Sequence, residues 1–211
     1  MQAEDPDYWY GHARPNSSHH YLWPAVKRAI GGGDITGRRA LDLGCGSGAT
    51  AQMLHEHGFD VIGIDQSKSG LAQARTAYPQ ITFAEGSVYD DLATAYEPFD
   101  LVVSLEVIEH LLYPGLLCKA VYDLLVPGGV AIFSTPYHGY WKNLAIAASG
   151  KWDHHHNPLR DGGHVKFFSS DTLTKALSKA GFSDIRLERV GRIPPLAKSI
   201  VAVVRKPAGD K

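Results

Sequence analysis

Apolar and polar positions along this chain change period repeatedly. Short apolar runs of the kind strands make alternate with the three-to-four-residue spacing of helices. Residues 21–30 read as a helix that stops at Gly31-Gly32-Gly33. A short apolar run, Arg39–Leu43, predicts the first strand, followed by a helix over Ala49–His57 with Gly58 as its stop signal. Asp60–Ile64 predicts the second strand. Ser67–Ala77 predicts a helix with Ser67 able to cap it and Pro79 just past its end. Further strands are expected at Ile81–Ala84, Phe99–Ser104 and Val130–Ser134. A helix follows over Ser170–Ala180, capped by Ser169 or Ser170 and stopped by Gly181, and two last strands at Ile185–Arg189 and Ser199–Val204 close the sheet. Strands alternating with helices at this spacing predict βαβ units and a mostly parallel α/β sheet.

The regular pattern is interrupted once. Residues 136–168 hold glycines, prolines, tryptophans, tyrosines and five histidines, and exceed an ordinary connection. Long segments of this kind in compact domains often serve as lids or binding loops. Val190–Lys198, with Pro194-Pro195, is expected near the rim of the same site. The chain as a whole, 1–211, reads as one domain. It comprises an N-terminal arm and helix (1–37), a cofactor-binding core (38–135), a lid insertion (136–168) and a C-terminal helix with strands (169–211).

Composition narrows the classes of function. The 21 Lys and Arg nearly balance the 22 Asp and Glu, for a formal net charge of −1. Nucleic-acid binders carry a basic excess or stripe that is not visible here, so no nucleic-acid partner is expected. Two cysteines, Cys45 and Cys118, give neither a disulfide framework nor zinc-ligand spacing. The acidic start of the chain lacks the apolar region of a signal peptide, and no apolar run reaches spanning length, so a cytoplasmic location is expected.

The candidate chemistry begins at Leu41-Asp42-Leu43-Gly44-Cys45-Gly46-Ser47-Gly48, between a strand and a helix. Glycines let a turn approach a ligand closely, and a helix N-terminus offers N–H groups to an anionic part of it. Asp65 ends the second strand, 23 positions after Asp42. A carboxylate there can accept hydrogen bonds from both ribose hydroxyls of an adenosine-containing cofactor. A dinucleotide fingerprint needs a third glycine at the sixth position, where this chain has Ala49.

The loop instead resembles that of the class I S-adenosylmethionine (SAM)-dependent methyltransferases. The resemblance extends in order through Asp65, Glu85-Gly86-Ser87-Val88-Tyr89, Phe99-Asp100-Leu101-Val102 and Leu125-Val126-Pro127-Gly128-Gly129, over about residues 38–135. It implies a Rossmann-like, doubly wound seven-stranded sheet with an antiparallel last strand, and SAM over the C-terminal ends of the first two strands. On that reading Asp42, Gly44, Cys45 and Gly46 form the cofactor loop, with the two glycines beside the methionine part. Asp65 binds ribose, Gln66 lies beside the adenine, Ser87 and Val88 edge its ring, and Leu105 lies beneath the sulfonium.

Glu106-Val107-Ile108-Glu109-His110 follows the fourth strand directly. If helical, positions i, i+3 and i+4 bring both carboxylates and the imidazole to one face. The run resembles that of the ubiquinone-biosynthesis O-methyltransferases (UbiG type). This implies a divalent ion, Mg²⁺ or similar, on Glu106, Glu109 and His110, lowering the pKa of an acceptor hydroxyl. Without a metal, His110 beside Glu109 is a candidate general base for a phenol or alcohol proton. His164, flanked by glycines, is the second catalytic candidate.

The expected function is methyl transfer from SAM to a small-molecule hydroxyl, phenolic or quinol-like. A sugar, amine or carboxylate acceptor and a SAM-binding module without turnover are the alternatives. Ser134-Thr135-Pro136-Tyr137 is a partial match to the motif of base-amino methyltransferases, but it follows the fifth strand and lacks the double proline. Leu144–Ala148 is expected to pack on the core rather than lie on a membrane surface, since it lacks a basic polar face. Adjacent histidines 154–156 point in different directions and are not expected to form a structural metal site. The aromatic arm Tyr8-Trp9-Tyr10-Gly11-His12 is a candidate cover for the site, by analogy of fold only.

Overall fold

A computed structural model describes residues 12–33 and 35–209. The aromatic arm, apart from His12, lies outside the described residues. Strands β1 (Arg39–Leu43), β2 (Asp60–Asp65), β3 (Thr82–Glu85), β4 (Phe99–Leu105), β5 (Leu125–Pro136), β6 (Ser183–Val190) and β7 (Ser199–Arg205) form one sheet in the order β3-β2-β1-β4-β5-β7-β6. Strands β1 to β5 pair in parallel, and β7 runs antiparallel to both β5 and β6. The seven-stranded α/β sheet with an antiparallel last strand is the architecture the sequence implies.

Alternation along each strand divides the core into two layers. Leu41, Leu43, Val102 and Phe133 face one side, with Leu117 and Val121 of α5 (Pro114–Leu124) and Leu173 and Leu177 of α8 (Ser170–Lys179). Ala40, Leu101, Val103 and Ile132 face the other, with Leu22 and Val26 of α1 (His19–Gly31), Met53 and Leu54 of α2 (Ala49–Glu56) and Leu71 of α3 (Lys68–Ala77). Each fully buried Leu, Val, Ile, Phe or Met among them stabilises the fold by about 1.5–3 kcal/mol.

Local signals place the helices. Ser67 Oγ accepts from Gly70 N at 3.0 Å and opens α3. Ser169 and Thr172 exchange side-chain and backbone bonds in a capping box that opens α8. Helix α5 is an element beyond those the periodicity names. Pro114 sits at its first turn, where the missing N–H costs nothing. A four-residue helix, α4 (Leu92–Ala95), precedes β4. β6 forms one edge of the sheet, and its Arg186, Glu188 and Arg189 discourage pairing with another chain.

β1 and β4 are neighbours, yet the chain leaves β1 toward β2 and leaves β4 toward β5. The connections part at this point and open a crevice at the C-terminal ends of the strands, where α/β sheets bind ligands. The insertion after β5 contains α6 (Tyr140–Ala148) and α7 (Trp152–His155). Helix α6 turns only Ile146 into the core and leaves Tyr140, Trp141 and Leu144 exposed. The expectation that this stretch packs on the core therefore holds for one residue.

Candidate active site

The loop between β1 and α2 is tied to the end of β2. Gly44 N and Cys45 N both donate to Ile64 O, at 2.8 and 3.1 Å, and Gly48 N donates to Cys45 O at 2.9 Å. Asp65 fastens the rest: Oδ2 accepts from Gly46 N at 2.7 Å and Oδ1 from Ser67 N at 2.8 Å. Several N–H groups expected to face a ligand thus hold the loop in shape, and the loop offers a ligand a preformed backbone surface instead.

Positive φ values of 81°, 52° and 82° at Gly44, Gly46 and Gly48 make these glycines necessary. At Gly44 there is a second reason: a Cβ would lie 2.4 Å from Val107 Cγ2. The cofactor loop therefore touches the turn after β4. Gly44→Ala is expected to destabilise the chain by about 2–5 kcal/mol, from the left-handed backbone and from overpacking. Denaturant unfolding checks this. Val107→Ala in the same chain should recover the steric part only, and no recovery would show that Val107 is not the obstacle.

Asp42 is 2% exposed, and its Oδ2 has no hydrogen-bond partner among the described residues. Burial, followed by the Asp65 charge, raises its carboxyl from 3.8 to about 7, against a lowering contribution from the Ala51 amide. The folded chain thus holds a proton that the unfolded chain has released, and stability should fall as pH rises from about 4 through about 7. Asp42→Asn is expected to remove that slope and to stabilise the ligand-free chain at pH 8 by up to about 4 kcal/mol. Parallel stability–pH curves for the two chains would refute the assignment.

The remaining cofactor candidates divide. Gln66 is exposed beside Asp65, and Leu105 is partly exposed at the end of β4. Ser87 N donates to Asp90 Oδ2 at 2.7 Å and Ser87 Oγ accepts from Tyr89 N at 3.1 Å, fixing the turn after β3. Val88 is buried and packs with the core. Cys45 is buried, its thiol pushed well up by burial and then by Asp42, so it lines the loop as a small apolar group.

The turn after β4 departs from the helix the spacing allows. Glu106 adopts φ 56°, and only a single 3₁₀ turn, Ile108–His110, follows. Glu106 N donates to Ser134 O at 3.1 Å and to Ser134 Oγ at 3.0 Å. Its side chain turns toward β5 and β7, where Oε1 accepts from Ser134 Oγ at 2.8 Å and Oε2 from Ser199 Oγ at 3.4 Å. Burial raises its carboxyl, and the two serines and Lys142 offset part of that rise.

Glu106, Glu109 and His110 therefore do not converge. The group that does is Glu109, His110 and His164, whose ligand atoms lie within 4.8 Å of one another. Glu109 is 0% exposed, and neither of its oxygens has a hydrogen-bond partner among the described residues. Its Oε1 is 4.0 Å from Nε2 of each imidazole. Burial pushes the Glu109 carboxyl well above the usual carboxylate range, and the Glu106 charge adds to this. Both histidines are lowered, chiefly by burial, His164 to about 4.

The insertion builds this group. His110 Nδ1–H donates to Gly162 O at 2.8 Å, which leaves Nε2 as the basic nitrogen. Val165 N and Lys166 N both donate to Glu109 O at 2.9 Å, holding His164 between two backbone ties. Gly162 has φ 65°, so the glycine pair before His164 allows the chain to turn toward the site. Sequence reading finds the glycines but not the clasp on Glu109, because main-chain pairing across such a separation leaves no periodic trace.

His138 and His156 form a neighbouring aromatic cluster, near enough for their charge to act on His164. His156 stacks between Trp152, with ring centroids 4.3 Å apart, and Phe167, at 4.9 Å, and His138 packs against Phe167 at 4.9 Å. Among the described residues the Glu109 group is the one set of three metal-capable side chains, so histidines 154–156 form none. The Mg²⁺ implied by the resemblance does not fit: the second carboxylate, Glu106, is engaged with Ser134 and Ser199, and two imidazoles with one carboxylate do not suit a hard cation.

Comparison with known proteins bears on the family and the fold. The chain is 33% identical over 153 residues to a ubiquinone biosynthesis O-methyltransferase of Cereibacter sphaeroides, covering 71% of this chain and 62% of that protein. It is 42% identical over 120 residues to one from Alkalilimnicola ehrlichii, covering 52% and 45%. The chain thus spans about half to three fifths of the length of these curated relatives. Among solved structures, magnesium protoporphyrin IX methyltransferase from Synechocystis, with bound S-adenosylhomocysteine (SAH), shares the fold with a TM-score of 0.66 at 19% identity, over 87% of this chain and 80% of that one. A phosphoethanolamine N-methyltransferase of Haemonchus contortus does so with a TM-score of 0.65 at 19% identity, over 87% and 52%. The methyltransferase domain family matches residues 10–187, which include the glycine turn, Asp65 and the Glu109 group. With the sheet order, the cofactor loop and the family match in agreement, this chain belongs to the methyltransferase domain family.

Proposed function

We propose that the chain transfers a methyl group from SAM to a hydroxyl of a small, ring-shaped acceptor, phenolic or quinol-like. One observation carries this reading: the Glu109–His110–His164 group stands immediately beside the cofactor loop, linked to it by the approach of Val107 to Gly44. A sulfonium supplies an already activated methyl, so the chain's own task is alignment and removal of the acceptor's proton.

The crevice fits such a cofactor on three counts. Asp65 places a carboxylate at the end of β2, Asp42 presents a buried oxygen with no partner among the described residues, and Gly44 leaves no room for a side chain. The residues holding it would be the 44–48 turn, Asp65 and the 87–88 turn.

Removal of the acceptor proton falls to Glu109, His110 and His164. Burial holds both imidazoles neutral at physiological pH, so each has an unprotonated ring nitrogen, Nε2 in His110, to take a proton. Val165 and Phe167, directly after His164, and Tyr140 and Trp141 of α6 are exposed apolar side chains of the same insertion, of the kind that suits a flat ring. The curated relatives are named as O-methyltransferases of ubiquinone biosynthesis, which favours oxygen as the methylated atom.

A screen of labelled methyl transfer from SAM to catechols, quinols, sugars, amines and RNA tests the reading. Label is expected in a catechol or quinol. Transfer confined to amines or RNA would overturn the acceptor class, and SAH binding without transfer to any acceptor would favour a module without turnover.

A further inference from the structure

We propose that Glu106 is a positioning residue for the group that receives the acceptor's proton. Its side chain, clamped by Ser134 of β5 and Ser199 of β7, locks a left-handed backbone that aims the residues after it at the cofactor loop, the core and the insertion. This rests on the reading above that Glu109, His110 and His164 take that proton. Glu106 then acts through the two side chains that follow it, a task inside the chain that the E-x-x-E-H resemblance does not assign.

The first support is the cost of the arrangement. Glu106 has φ 56°, a form that a side chain makes unfavourable and that glycine, asparagine or aspartate usually occupies. Asp184 is the other non-glycine residue with positive φ among the described residues, and it sits at a register shift of β6, where such backbone is expected. Glu106 lies just past the last paired residue of β4, and no register shift adjoins it. Strain of this kind persists only where the surroundings over-determine it, and it gathers at functional sites.

The second support is how the strain is held. Ser134 Oγ accepts from Glu106 N at 3.0 Å and donates to Glu106 Oε1 at 2.8 Å. One hydroxyl thus ties both the main chain and the side chain of Glu106, a reciprocal pair like the one that opens a capped helix. Glu106 N also donates to Ser134 O at 3.1 Å, and Ser199 Oγ donates to Oε2 at 3.4 Å. Both serines are buried, so the clamp is fixed from two neighbouring strands of the sheet.

The third support is what the turn places. Val107 lies against Gly44 of the cofactor loop, and Ile108 is buried in the core. Glu109 offers its carbonyl to the amides of Val165 and Lys166, and His110 Nδ1–H donates to Gly162 O. One backbone angle sets the direction of all four residues. Glycine at position 106 would permit that angle without enforcing it.

Glu106→Gly, Glu106→Gln and Ser134→Ala test the clamp. Glutamine can accept from Ser134 and donate to Ser199 without a charge. The readout independent of turnover is proton NMR of the His110 Nδ1–H, assigned by its loss in His110→Ala. The resonance is expected in the parent chain, broadened by exchange with water in Glu106→Gly and in Ser134→Ala, and restored in Glu106→Gln. With the acceptor found in the screen, Glu106→Gly should lower kcat by about 10²-fold, the scale of a small misplacement of reacting groups, and Glu106→Gln should recover roughly tenfold. Ser134→Ala should lower kcat in the parent chain and add nothing in Glu106→Gly, the mark of one shared contact. A resonance unmoved in Glu106→Gly or in Ser134→Ala, or Glu106→Gln no better than Glu106→Gly, would overturn the clamp. Absence of transfer by the parent chain to every acceptor would overturn the function reading instead, and the resonance would then decide the clamp by itself.

Discussion

His110→Ala is expected to lower methyl transfer by about 10²–10⁴-fold, the range for losing a group that handles a proton in the transition state, while SAH still binds. His110 lies one turn beyond β4 and, among the described residues, makes no hydrogen bond to the glycine loop, so the cofactor surface should survive its removal. The substitution removes Nε2 from the Glu109 group and also the Nδ1 tie to Gly162. Steady-state kinetics with the acceptor found in the screen separate the two effects. Loss of the group that receives the proton lowers kcat, whereas a loosened insertion raises the acceptor's KM. His110→Asn, which can keep a donor toward Gly162, should restore the KM but not kcat. Turnover equal to that of the parent chain would remove His110 from the mechanism.

Asp65→Ala carries the second large effect, on the cofactor. Its carboxylate holds Gly46 N and Ser67 N at the end of β2, where an acid of this fold meets the ribose hydroxyls. Removing it should weaken SAH binding by about 1–3 kcal/mol, roughly 5- to 150-fold. Because the same oxygens brace the loop, the ligand-free chain should also lose about 1.5–3 kcal/mol of stability, typical of a hydrogen bond to a charged group. Asp65→Asn retains one acceptor oxygen and should fall between. Calorimetry and denaturant unfolding on the same three chains give both numbers, and an unchanged affinity in Asp65→Ala would refute the ribose assignment.

Much of the fold is legible in the chain because local and global signals agree. The apolar run before Gly44, the cap at Ser67 and the cap at Ser169 each act over a few residues, and each stands where expected. The seven-stranded order and the antiparallel β7 come from family resemblance, since no local pattern encodes which strands become neighbours.

The site was less legible. Spacing in Glu106–His110 suggests a helix with three polar groups on one face. The backbone instead continues the sheet's pairing through Glu106 N to Ser134 O, turns at φ 56°, and makes one 3₁₀ turn before Pro114 opens α5. Pro114 also restricts Tyr113 to non-helical backbone, which stops a continuous helix from Glu106 into α5. Ser134 and Ser199 come from different strands, so their claim on Glu106 is visible only once β5 and β7 are paired. His164 enters by the same route, since its position depends on backbone bonds to Glu109.

Asp42 presents the opposite case. Its place in the loop is plain from the sequence, but its burial and lone oxygen are not. A carboxyl raised to about 7 inside the glycine turn is a stability cost of the ligand-free chain, and this is common where groups are arranged for a ligand rather than for folding.

Calorimetric titration of the purified chain with SAH is the most direct check that the turn after β1 and the carboxylate ending β2 hold an adenosyl ligand. One-site binding is expected, weakened in Asp65→Ala, competed by SAM and accompanied by a rise in the unfolding midpoint with ligand concentration. Absence of heat at two temperatures, together with an unfolding midpoint that SAH does not move, would contradict it.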